Sequence, residues 1–113
     1  MAAAAAFAGK LAARYAPGGI LAKSEKWPDP FGVRAWELDN EPEGYRTCWN
    51  GQAGDDAEFA TLSAAAIRRV DPKAMIAAAA TAGGGHLANW LGGALDASRL
   101  QGTPRESITA SAR

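Results

Sequence analysis

The side chains best suited to chemistry lie close together in residues 35–51, AWELDNEPEGYRTCWNG, within a chain that is otherwise rich in alanine. Glu41 follows Asn40 and precedes Pro42, at the point where a predicted strand ends and a loop begins. A carboxyl group in such a place can act as a general acid that gives a proton to a leaving oxygen, provided that burial keeps it protonated. The Asn40 amide could hydrogen-bond a substrate hydroxyl. These residues predict a site for acid catalysis centred on Glu41.

Aromatic residues near this stretch offer flat apolar faces of the kind on which sugar rings pack. They are Trp49, Tyr45 and, earlier in the chain, Trp27. His86 follows a glycine run at the end of another predicted strand and could also contact a sugar, although a lone loop histidine is more often incidental. A solvated loop carboxylate is the ordinary alternative for Glu41. Glu37 is four residues before Glu41, so in an extended strand the two side chains would point to the same side. Glu37 therefore either points into the interior of a barrel or lies at an exposed strand end.

The composition excludes several classes of protein. The 113 residues suffice for one domain, and 12 basic and 12 acidic side chains leave no net charge, which argues against a nucleic-acid partner. One cysteine and one histidine exclude an internal disulfide and a metal site built on either residue type. No apolar run approaches the roughly 20 residues of a membrane span. The opening MAAAAAFAGK lacks a basic start, so a helix is predicted there rather than a signal peptide.

Two helices are predicted from residue preferences and apolar spacing. The first covers residues 2–16, and its apolar stripe is formed by Phe7, Leu11 and Tyr15. The second begins at Asp55, an N-cap with Glu58 three residues later, and Pro72 ends it. The apolar face expected for the second helix consists of Phe59, Leu62, Ala66 and Val70.

The strands are predicted from shorter segments bounded by turn residues. These segments are residues 33–38 and the alanine-rich residues 74–82, which lie between a proline and a glycine run. Residues 20–32 are predicted to be a surface connection, residues 86–95 a third helix, and residues 101–113 a polar, frayed tail.

Strands that alternate with helices predict an α/β fold built from parallel β/α units. Because two strands are too few to form a complete sheet, we expect residues 1–100 to be a slice of a larger sheet or barrel, with residues 101–113 as the tail.

The stretch WELDNEP resembles the Trp-Glu-Leu-x-Asn-Glu-Pro strand end of the clan A retaining glycoside hydrolases, which are β/α barrels. Within that clan the chain is most similar to bacterial cellulase-like and β-xylosidase-like proteins, because RYAPGG, AAAIRRVDPKAMI and GGGHLANWL follow the same order over residues 7–98. The resemblance implies that residues 1–100 are a partial β/α barrel of the TIM type, that Glu41 is the acid/base and that Asn40 touches the substrate. It also implies hydrolysis of O-glycosidic bonds with retention, a carbohydrate partner, no cofactor and no metal. Members of the family are often secreted.

Two departures from the family pattern qualify this expectation. Asp39 stands where the family often has an aromatic or small residue. The family nucleophile, a glutamate that closes the seventh strand, has no counterpart here, although retaining hydrolysis needs a second carboxylate about 5 Å from the first. A barrel takes about 250 residues, and the resemblance places this chain between the third and fifth helices. We therefore expect the chain to be inactive alone, with open barrel edges that invite self-association or a complementing chain.

Two other functions remain open. The chain could be a remnant that binds carbohydrate without catalysis. Alternatively, GGGHLA at residues 83–88 matches the G-x-G-x-x-G/A phosphate loop after a predicted strand, which indicates a dinucleotide-binding fragment. Glu106 stands near the distance at which that fingerprint places an acidic residue.

Overall fold

A computed structural model describes residues 1–43, 50–81 and 109–112, with side chains in residues 1–43 and 50–77. Three helices and three strands follow one another as α1 (Ala2–Tyr15), α2 (Ile20–Ser24), β1 (Ala35–Glu37), α3 (Ala53–Val70), β2 (Met75–Thr81) and β3 (Thr109–Ala112). The prediction of a mixed helix and strand fold is confirmed at this level. The third helix predicted at residues 86–95 lies outside the described residues.

The three strands form one parallel sheet in the order of the chain, β1-β2-β3. Trp36 of β1 is paired with Ile76 of β2, and Ala78 of β2 is paired with Ala110 of β3. β2 confirms the strand predicted at residues 74–82. Its alanines tolerate an extended backbone because β2 is paired on both sides, so its peptide groups find hydrogen-bond partners whatever the preferences of its side chains.

The helices α1 and α3 lie side by side and run in the same direction. Met1 and Asp55, near the starts of the two helices, line one cavity, and Gly9 lies against Ala66 further along both. A Cβ atom at Gly9 would be 3.4 Å from the Cβ atom of Ala66, so the small residues allow a close approach of the two backbones. Each helix precedes a strand of the sheet, which gives two successive α/β units in the same orientation.

The hydrophobic core lies between these two helices and one face of the sheet. Its buried members are Ala12 from α1, Ala64 and Ile67 from α3, and Ala74 and Ile76 at the start of β2. The partly buried Trp36 of β1 and Leu38, which follows the strand, pack against this cluster. Ile67 is the largest fully buried side chain in the described part of the chain. Alanine methyl groups therefore make up much of the core in the described residues.

The helix faces predicted from the apolar spacing are wrong in part, since Ala66 of α3 is buried and Leu11 and Tyr15 of α1 are partly buried, but other members are exposed. Phe7 is 61% exposed, whereas Ala5 and Ala12 are the buried positions of α1. Leu62 and Val70 of α3 are likewise exposed. In helices with so many alanines, the face with the smallest side chains allows the closest packing and is the one that becomes buried. The spacing of the large residues does not predict that face.

The start of α3 also differs from its prediction. The N-cap is Gln52, and Asp55 is the third residue of the helix. The Asp55 carboxylate reaches back and accepts a hydrogen bond from the Gln52 backbone N–H at 2.7 Å. Asp55 therefore stabilises the first turn as the carboxylate of a reciprocal cap rather than as the N-cap itself.

The segment between α1 and β1 is more ordered than a simple connection, because α2 lies within it. The two ends of this segment lie close together in space. The Val33 N–H donates a hydrogen bond to the Tyr15 carbonyl oxygen at 2.8 Å, and a Cβ atom at Gly32 would be 2.6 Å from the Pro17 nitrogen. Residues 17–32 thus form a closed loop of the Ω type.

Residues Thr109–Ala112 form a strand where the sequence predicts a frayed tail. Their side chains show no apolar pattern, but the backbone of β3 pairs with the edge of β2, and such pairing needs no particular side chains. The prediction is therefore wrong for these four residues. Across the described helices, none has the length and apolar character of a transmembrane segment.

Candidate functional site

Asn40 and Glu41 lie just beyond the carboxyl end of β1, as the sequence predicts. The Leu38 N–H donates to the Ala77 carbonyl oxygen at 3.2 Å, so the pairing of the two strands extends one residue past Glu37. Both Asn40 and Glu41 are exposed. The carboxyl ends of parallel strands are where α/β enzymes collect their catalytic groups.

Local backbone geometry fixes the direction in which Glu41 leaves the strand. The Asn40 N–H donates to Oδ1 of Asp39 at 2.8 Å, and Glu41 has φ of 50°, in the left-handed region. This conformation is uncommon for a residue with a side chain, and such conformations cluster at functional sites. Pro42, which follows, is buried. Glu41 is therefore presented to solvent by an anchored turn.

The strand β1 separates its side chains onto two faces. Trp36 packs against the core beneath the helices, so Ala35 and Glu37 point to the opposite face of the sheet. That second face is open to solvent where its side chains are described. Both Ala35 and Glu37 are exposed, and Met75 of β2 is 69% exposed. Trp36 therefore belongs to the core, and Glu37 lies on the face away from the helices.

Several predicted site residues lie outside the described part of the chain. They are Tyr45, Trp49 and His86, together with the phosphate-loop match at residues 83–88. Their predicted roles stay predictions. Of the other acidic residues, Asp55 caps α3, Asp56 is buried within the same helix, and Glu43 is partly buried.

Trp27 does not join Asn40 and Glu41. It lies in the closed loop 17–32, which leaves α1 and returns at Val33 on the amino side of β1. Its ring meets that of Phe31 edge to face, with centroids 5.1 Å apart and planes at 87°. Trp27 also lines a groove with Lys23 and Lys26. The sequence does not indicate this groove, because it predicts residues 20–32 to be a surface connection.

Among residues 1–43 and 50–77, no three histidine, cysteine, aspartate or glutamate side chains are grouped so that they could hold a metal ion. Comparison with known proteins adds no further assignment, since no protein-family model, no curated protein and no solved structure matches the chain. The functional interpretation therefore depends on the residues and their geometry.

Proposed function

We propose that this chain is part of a β/α barrel of the retaining glycoside hydrolase type, in which Glu41 is the acid/base and Asn40 binds the substrate. The observation that carries the proposal is the position of the Asn-Glu-Pro sequence directly after the carboxyl end of a strand in a parallel β/α arrangement. In this chemistry the carboxylic acid protonates the leaving oxygen, and its carboxylate then takes a proton from the attacking water.

The architecture supports a barrel over other α/β arrangements. Among the described residues, consecutive strands are neighbours and parallel, and α1 and α3 lie parallel on one side of the sheet. A doubly wound sheet would instead place its helices on both faces. The exposed second face, with Ala35, Glu37 and Met75, corresponds to the side that the remaining strands of a barrel would enclose.

The exposure of Glu41 sets a requirement for this chemistry. A carboxyl group keeps its proton near neutral pH only where water is partly excluded or a like charge is close. Further strands, or a bound saccharide, would have to cover Glu41 before it could act as an acid. They would also have to bring the nucleophile to about 5 Å from it.

Hydrolysis of a panel of aryl glycosides tests the catalytic role. Where the protein turns over a substrate, we expect E41Q to lower kcat by at least about 100-fold, because an amide cannot transfer the proton. E58Q is the matched control, since Glu58 lies within α3 and outside the turn that carries Glu41, and its activity should equal that of the wild type. Equal activities of E41Q and E58Q would refute the role of Glu41.

A carbohydrate-binding role without turnover is the second candidate, favoured by the solvent exposure of Glu41. It predicts oligosaccharide affinity, measured by calorimetry, that E41Q leaves within about twofold and that N40A weakens by about tenfold through the loss of one buried hydrogen bond. Sugar binding that is insensitive to N40A, combined with no turnover, would contradict both candidates.

A further inference from the structure

An open groove lies beside Trp27, at the surface of the closed loop 17–32. Its volume is about 440 Å³, within the range of roughly 300–1,000 Å³ that is usual for such sites. Its side chains come from the closed loop 17–32, and we call it the Trp27 groove. The residues that matter for its chemistry are Lys23, Lys26, Trp27 and Asp29.

The end of α2 positions two of these side chains. The Trp27 N–H donates to the Ala22 carbonyl oxygen at 2.9 Å, and the Lys26 N–H donates to the Lys23 carbonyl oxygen at 3.4 Å. This pair of bonds is the Schellman motif, in which the residue after the cap is left-handed and is usually glycine. Here that residue is Lys26, with φ of 54°. A left-handed backbone is uncommon for a residue with a side chain, and such conformations cluster at functional sites.

The charge and the ring in the groove are both available to a ligand. Neither Lys23 nor Lys26 is ion-paired within the described part of the chain, and Asp29 leaves the lining with one net positive charge. The edge-to-face contact with Phe31 holds the Trp27 ring in a fixed orientation. A flat apolar surface therefore lies beside two ammonium groups.

We propose that the Trp27 groove binds an acidic sugar, a pyranose ring that carries a carboxylate. The ring would stack on Trp27, the carboxylate would accept hydrogen bonds from Lys23 and Lys26, and Asp29 would accept one from a hydroxyl. The groove is formed on the amino side of β1, whereas Glu41 follows its carboxyl end, so this is a second site. The choice of a sugar over other ring acids rests on the proposed function.

Calorimetric titration with trigalacturonate and with the neutral galactotriose tests this assignment. We expect trigalacturonate to bind at least about tenfold more tightly and its affinity to fall as salt is raised to 1 M. K26G should weaken binding by about threefold to tenfold. Because glycine relieves the left-handed backbone, K26G should also raise the Tm, which separates loss of binding from loss of fold.

K10A is the control, because Lys10 is an exposed lysine of α1 outside the groove. Equal affinity for the acidic and neutral sugars, no binding of trigalacturonate, or equal losses in K26G and K10A would each overturn the proposal. E41Q should leave trigalacturonate affinity unchanged, so that failure of the Trp27 groove and failure of the proposed catalytic site can be told apart.

Discussion

Ile67 provides the sharpest test of the core, because it is the largest side chain in the described residues that is completely buried, at 0% exposure. Ile67→Ala removes three carbon atoms from contact with α1, β1 and β2. At about 0.8 kcal/mol for each buried methylene group, the transfer contribution is about 2.4 kcal/mol. The cavity left behind adds to this value, so we expect the free energy of unfolding to fall by about 3–4 kcal/mol. Ile67→Val, which removes one carbon, should cost about 1 kcal/mol.

The measurement is urea denaturation followed by far-UV circular dichroism. Leu62→Ala is the matched control, since Leu62 lies on the same helix and also loses three carbons but is 37% exposed. We expect it to cost about 1 kcal/mol. If Ile67→Ala prevents folding, Ile67→Val still separates the two positions, because the removal of one carbon at residue 67 should then cost about as much as the removal of three at residue 62. Equal losses for Ile67→Ala and Leu62→Ala would show that the core is not closed where the structure places it.

Three further changes test local features by the same denaturation measurement. Gly32→Ala should destabilise by more than about 2 kcal/mol, because its Cβ atom would lie 2.6 Å from the Pro17 nitrogen and φ is +151°; a smaller loss would contradict the closed loop. Gly9→Ala should stabilise by up to about 1 kcal/mol, since a methyl group meets α3 at 3.4 Å and alanine favours the helix; destabilisation would mean that the helices lie closer. Asp55→Ala should cost about 1 kcal/mol through loss of its bond to the Gln52 N–H, and no change would refute that cap.

The sequence predicts the elements of this fold better than it predicts their packing. The strand β2 follows from its place between a proline and a glycine run, and the position of Glu41 after β1 follows from the turn residues around it. Such boundaries are set locally and are visible in the sequence. The strand β3 is not, because pairing with a distant edge creates it.

The buried faces of the helices could not be predicted for a related reason. Phe7 and Leu62 set the apparent apolar stripes, yet the helices meet through alanine and glycine, whose periodicity is hidden where alanine occurs at almost every position. The Trp27 groove was missed because it depends on one left-handed residue, Lys26, which has no signature in the sequence.

The methyl-lined core has a consequence for the response of the protein to temperature. The heat-capacity change on unfolding is set largely by the apolar area that becomes exposed, and it averages about 12–15 cal/mol/K per residue in globular proteins. Alanines such as Ala12 and Ala64 contribute little area compared with leucine or phenylalanine. The contribution of the core in the described residues to the heat-capacity change should therefore lie below that average. A smaller heat-capacity change gives the protein a flatter stability curve, so that the free energy of unfolding varies less between cold and warm conditions.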